Sequence, residues 1–188
     1  RTYISSLDVR VLGVAGGSMI RVNKNGVHDV GPRSAHIAGL VYAVFTDESE
    51  IVDPQLEFFS PKEGDPSDYV AIKLKSGKRI TITNSCAANV LGLVKPTDFS
   101  YGNVNSARKA MQPIADYLGI TVEQVAEQIL TRAYEKISPI IMELAEKYKL
   151  EHDQISLVGV GGGATSLIGF VAKKMNIKYS VPENAEVI

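Results

Sequence analysis

The chain has little of the residue types that announce chemistry by themselves. Of its 188 residues one is a cysteine, Cys86, and three are histidines, His28, His36 and His152. A single thiol excludes an intrachain disulfide and fits a reducing compartment, so a cytoplasmic location is expected. The histidines stand apart from one another and from any cysteine or carboxylate at ligand spacing, so no metal site is expected from them. Cys86 has no basic neighbour to hold a thiolate and reads as a buried structural thiol. An excess of one charge is also missing: 20 basic residues face 21 acidic ones, a net −1. That balance argues against a nucleic-acid partner, which asks for a basic surplus. No run approaches the roughly 18 apolar residues of a membrane span, and the opening residues lack a signal-peptide pattern, so no membrane partner is expected.

What is present suits a packed core. Apolar residues make up 45% and charged residues 22%, and the length fits one domain over residues 1–188. The chain opens on Arg1 rather than Met and stops just after a strand-like stretch. It reads as a part excised from a larger protein.

Two glycine clusters carry the chemical signal. Val9-Arg10-Val11-Leu12-Gly13-Val14 runs into Ala15-Gly16-Gly17-Ser18, and Ile155-Ser156-Leu157-Val158-Gly159-Val160 runs into Gly161-Gly162-Gly163-Ala164. Glycine leaves backbone N–H groups bare, so an anion can approach them. The first cluster reads either as a bulged hairpin or as a phosphate loop, with Gly16 and Gly17 amides and the Ser18 hydroxyl as donors. The second stands at a strand-to-helix junction, where free N–H groups favour an anion or the polar edge of a nucleotide. Close helix–strand packing without a ligand is its alternative. Neither is a P-loop, since no Gly-Lys-Ser/Thr follows, and neither completes a dinucleotide fingerprint. Arg33 and Ser34, after Gly31-Pro32, are candidates to clamp a carboxylate or phosphate, with a surface or capping role as the alternative.

The surrounding pattern is α/β. Residues 8–30 read as a β-meander turning at Asn25-Gly26. Gly31-Pro32-Arg33-Ser34 reads as a turn before a short helix over 36–40. Residues 47–68 hold eight acids, one lysine and three prolines, and read as an irregular surface excursion. Val70, Ile72 and Leu74, then Ile80 and Ile82, alternate as a hairpin whose Lys73, Lys75, Lys78 and Arg79 form a solvated face. Asn105 is the expected N-cap of a helix ending at Leu118-Gly119, and Thr121 with Gln124 forms a capping box for a long helix to Tyr148. Pro113 and Pro139 fall inside these patterns, where they should kink the helices. A buried-type strand over 155–160, a helix and a strand near 177–181 make a βαβ unit, which requires parallel pairing.

Several blocks together resemble the A-type subunit of the hydantoinase/oxoprolinase family. They are Gly13-Val14-Ala15-Gly16-Gly17-Ser18 with Val30-Gly31-Pro32-Arg33-Ser34-Ala35, and Val90-Leu91-Gly92 with Pro96-Thr97-Asp98-Phe99. Ile114-Ala115 with Leu118-Gly119, Thr121-Val122-Glu123-Gln124-Val125-Ala126, and Leu157-Val158-Gly159-Val160-Gly161-Gly162 follow in the family's order. The chain departs from the family at Ala15, Ser85-Cys86 and Leu167, and carries a variable insertion over about 46–69.

The resemblance implies a ribonuclease-H-like half-domain of the actin-like ATPase type, a mixed sheet with helices. The chain would be the C-terminal, nucleotide-binding half, its N-terminal half lying elsewhere. Gly16, Gly17 and Ser18 then correspond to a phosphate loop, and Gly161, Gly162, Gly163 and Ala164 to an adenosine loop. ATP and Mg²⁺ are the implied cofactors, a small cyclic amide or imide the implied substrate, and a B-type subunit a further partner. The implied activity is ATP-dependent ring opening. A small-metabolite kinase or activator ATPase of the same architecture, and a non-catalytic assembly module, are the alternatives.

Overall fold

The computed structural model describes residues 12–160 and 164–182. Residues 8–11 of the expected meander lie outside it. The hairpin that follows is present: β1 (Ser18–Asn23) pairs antiparallel with β2 (Gly26–Ser34). Its loop is Lys24-Asn25 rather than Asn25-Gly26, because Asn23 pairs with Gly26. Two contacts set this register. Asn25 N donates to Asn23 Oδ1 at 2.8 Å, and Val27 N donates to Gln128 Oε1 at 2.9 Å. Nor does Gly31-Pro32-Arg33-Ser34 form a turn; it closes β2, which lies at the edge of the described sheet. An edge strand tolerates the absence of the N–H that proline lacks. Ser34 then caps α1 (Ala35–Ala38), its Oγ accepting from Ile37 N.

β3 (Val41–Tyr42), β4 (Gln55–Phe59), β5 (Tyr69–Lys73) and β6 (Arg79–Thr81) extend the sheet in the order β2-β1-β5-β6-β3, with β4 also paired to β5. β3 runs parallel to β6 and the other named pairs are antiparallel. The β5–β6 hairpin is as read, with Ile72 opposite Ile80.

The acidic stretch departs from expectation. It contains a regular strand, β4, and a short 3₁₀ turn at Glu48–Glu50. Its acids are paired with bases from distant positions: Glu48 with Lys109 at 3.0 Å, Glu50 with Lys78 at 3.1 Å and Glu57 with Arg79 at 2.9 Å. Asp65 meets Arg33 at 2.7 Å, and Asp68 meets Arg21 at 2.9 Å. Five of the eight acids in a run that looks like mutual repulsion in sequence are thus paired with bases of the domain it covers.

α2 (Asn84–Val90) is buried at every position, beneath α3 (Val104–Leu118) and α4 (Val122–Lys147). The N-cap of α3 is Asn103, not Asn105: its side chain accepts from Ser106 N at 3.0 Å while its own N–H donates to Val44 O at 2.7 Å. That backbone bond to another segment decides between two asparagines of equal intrinsic fitness. Gly119 closes α3 in the left-handed region, and the Thr121–Gln124 capping box opens α4. Pro113 and Pro139 both lie inside continuous helices. Ile20, Val22, Ile72, Ile80, Met111, Ile114, Ile129 and Leu130 form the core between sheet and helices. Each such side chain contributes about 1.5–3 kcal/mol relative to exposure.

β7 (Ser156–Val158), α5 (Ala164–Met175) and β8 (Lys178–Ser180) form the expected parallel βαβ unit. Neither strand is buried, however: Val158 of β7 is 57% and Tyr179 of β8 45% exposed. Among the described residues the two strands pair only with each other, and α5 packs on one face of the pair, where parallel strands are ordinarily covered on both. The architecture is α/β with a mixed sheet and helices. Among the described residues no helix is long and apolar enough to cross a membrane.

Candidate functional site

The first glycine cluster forms a closed turn at the entry to β1. Ser18 N donates to Ala15 O at 3.1 Å, and Ala15 N donates to Ser18 Oγ at 2.8 Å. Ser18 therefore holds the turn from inside, being only 3% exposed. Three successive carbonyls are engaged from outside. Ala15 O accepts from Asn84 Nδ2 at 2.8 Å, Gly16 O from Ser85 N at 2.9 Å, and Gly17 O from Ala35 N at 2.9 Å. With those acceptors occupied, the N–H groups of Gly16 and Gly17 have no partner among the described residues.

Gly31 explains why the turn and the Gly-Pro-Arg-Ser-Ala block occur together. At φ +68° it sits so close that a Cβ would lie 2.3 Å from Gly13 O. A side chain at 31 would push the two segments apart. Arg33, two residues on, does not turn to the glycine loop. Its Nε and Nη2 donate to the two oxygens of Asp65 at 2.7 and 2.8 Å, the bidentate geometry that arginine favours. The Arg33 side chain and the Asp65 carboxylate are thus paired with each other, and that hydrogen-bonded arginine holds the Asp65 carboxyl below the usual carboxylate range.

Beside Gly16 and Gly17 opens a cavity of about 250 Å³, walled by Tyr42, Phe45, Ser85, Phe99 and Ser100. The rings of Tyr42 and Phe45 stack with centroids 5.4 Å apart. Tyr42 stands over Gly17, and burial pushes its hydroxyl above the ordinary phenol value. Neither the Tyr42 hydroxyl nor that of Ser85, which is 3% exposed, has a hydrogen-bond partner among the described residues. Asn89 ties the opposite wall in place. Its Nδ2 donates to Ser85 O and Ser100 O, both at 2.8 Å, and its Oδ1 accepts from Gly102 N at 3.0 Å.

Other candidates separate cleanly. Cys86 is fully buried, and burial pushes its thiol up, as befits a structural cysteine. Among the described residues no three of His, Cys, Asp and Glu converge on a point. Gly161, Gly162 and Gly163 lie outside the described residues; Ala164 begins α5. Tyr42, Ser85 and Asn89 carried no local signal in the sequence. They reach the glycine turn only through the packing of α2 and the segment after α1.

The fold and the turn define an α/β domain with a small, donor-lined pocket at the entry to its sheet. The hydantoinase/oxoprolinase family model matches residues 1–188, and the chain belongs to that family. Among solved structures it is similar to the ATP-dependent caprolactamase from Pseudomonas jessenii, with a TM-score of 0.54 and 22% identity over 95% of this chain. At that identity the likeness is one of fold. The chain spans 22% of the length of that enzyme chain. No curated protein sequence matches it.

Proposed function

We propose that these residues form the nucleotide-binding, C-terminal half of an enzyme that opens a cyclic amide or imide at the expense of ATP. The observation that carries this reading is the pair of unpartnered N–H groups at Gly16 and Gly17, beside a preformed pocket. Fixed donors of this kind favour phosphate oxygens at no cost in reorganisation. Family membership and the ATP-dependent fold relative support the same assignment.

When bound, ATP supplies a phosphoryl group that makes an amide carbonyl a better electrophile for water. This chain's part is to bind and orient. Gly16 and Gly17 present N–H groups to phosphate, and Ser18 keeps the turn closed by accepting from Ala15 N. Asn84 and Ser85 hold the carbonyls of Ala15 and Gly16 away from the anion. The loop over 161–164 is assigned to adenosine. Among the described residues no three of His, Cys, Asp and Glu converge that would hold a magnesium ion.

ATP turnover by the full-length protein, with and without a hydantoin, an oxoproline or a lactam, tests the reading. Inorganic phosphate released together with a ring-opened acid is the expected result. Phosphorylated product in place of ring opening would make the protein a kinase, and absence of any nucleotide binding would overturn the assignment. By themselves, residues 1–188 are expected to bind ATP with a Kd on the order of millimolar or weaker, because half of the cleft is elsewhere.

A further inference from the structure

We propose that Tyr42 and Ser85 complete the Gly16–Gly17 turn as a four-donor cradle for one tetrahedral phosphoryl group, with Tyr42 as the residue that positions it. This inference rests on the nucleotide reading above and adds to it the side chains that select the bound group.

The cradle is defined by what it lacks. Among the described residues its walls contain neither a carboxylate nor a cation, and besides Ser100 four groups on them can donate: the N–H of Gly16 and Gly17 and the hydroxyls of Tyr42 and Ser85. None of the four has a partner among the described residues. Ser85 is only 3% exposed as a residue and lines the cavity, so its hydroxyl is open to a ligand there while the rest of the side chain is packed away. Four converging donors ask for a group rich in acceptors, which a phosphoryl is and an amide oxygen is not.

Size points the same way. Sites for whole small-molecule ligands occupy roughly 300–1,000 Å³, and this pocket holds about 250 Å³. It suits a terminal group, not an entire nucleotide. The stacked rings of Tyr42 and Phe45 form one wall, and Phe99, 75% exposed, stands at the rim.

Tyr42 is held to the loop by contact. Its hydroxyl lies 2.0 Å and its Cζ 3.0 Å from the point a Cβ on Gly17 would occupy. Phe45 backs the ring, and Thr46 Oγ1 donates to Tyr42 O at 3.0 Å, fixing the segment from behind. Burial keeps the phenol protonated, as a donor must be. The bound phosphoryl is either the terminal group of the nucleotide or the free phosphate ion.

Calorimetric binding of ATP, ADP and inorganic phosphate to the full-length protein separates these cases. Tyr42→Phe and Ser85→Ala are each expected to weaken the cradle's ligand about tenfold, the loss of one hydrogen bond to a charged group. Ser85→Thr keeps the hydroxyl and is expected to stay within about twofold of the parent. Weakening confined to ATP assigns the cradle to the terminal phosphoryl, and weakening confined to inorganic phosphate assigns it to the free ion. A parent that binds ATP while Tyr42→Phe and Ser85→Ala bind all three ligands unchanged overturns the cradle and leaves the nucleotide reading standing. A parent that binds no ligand overturns both. Should Ser85→Ala fail to fold, Tyr42→Phe, which removes one atom at the cavity surface, carries the test.

Discussion

The hydroxyl oxygen of Tyr42 lies 2.0 Å from where a Cβ on Gly17 would stand. Glycine at 17 is therefore required by a neighbour 25 positions away as well as by any ligand. Gly17→Ala is expected to displace the Tyr42 ring and to destabilise the domain by about 1–3 kcal/mol. In a Tyr42→Phe background the worst contact is gone and the cost should fall clearly. Urea unfolding of the four proteins in this cycle measures the coupling; equal costs in both backgrounds would refute the contact.

Asn89 makes three hydrogen bonds to backbone groups and is 2% exposed. Asn89→Ala strands two carbonyls and one N–H, and an expected loss of about 1–3 kcal/mol follows. Asn89→Asp keeps the acceptor for Gly102 but turns an anion toward Ser85 O and Ser100 O. It should be the worse of the two at neutral pH. Thermal melts of both variants decide the order.

The Arg33–Asp65 pair joins the family's most distinctive block to the acidic segment. Asp65 also accepts from Lys62 N at 3.1 Å. Asp65→Asn should loosen the segment over 60–66 without unfolding the sheet. Limited proteolysis should then cut there first, and high salt should produce a similar sensitivity in the parent, since exposed ion pairs are screened. Unchanged cleavage would show that the segment is held by β4 alone.

Acid stability follows from Asp68. Burial works against its ionisation, but hydrogen bonds from Arg21 and His28 outweigh it and hold the carboxyl below its ordinary value. A depressed native value means stability that is present above the unfolded value, near about pH 4, and is lost as pH falls through the native one. Asp68→Asn should lower the Tm at pH 6, and the gap to the parent should narrow below about pH 4. Melting curves from pH 6 to 2 give the comparison, and a constant gap would remove Asp68 from the acid limb.

Local signals were legible where the partner lies a few residues away. Thr121 with Gln124, Gly119 at the end of α3, and Ile72 opposite Ile80 follow from caps, handedness and alternation. The buried thiol of Cys86 followed from the absence of a basic neighbour that would hold a thiolate. Where two local solutions were nearly equal, a distant contact chose. Asn103 prevailed over Asn105 because its N–H meets Val44 O, and the first hairpin turned one residue early because Gln128 reaches Val27. β4 was not legible because its strand character comes from pairing with β5 and from Arg79, which folding brings to its one acid, Glu57.

By itself, the sequence determined the α/β class, the family and the glycine turn, since these depend on residue type and short spacing. Only the tertiary structure decided what surrounds that turn. It turned Arg33 to Asp65, stood Tyr42 on Gly17 and brought the Ser85 hydroxyl beside two bare N–H groups. Those contacts join residues tens of positions apart, and their geometry is set by the packing of the core, which local spacing does not encode.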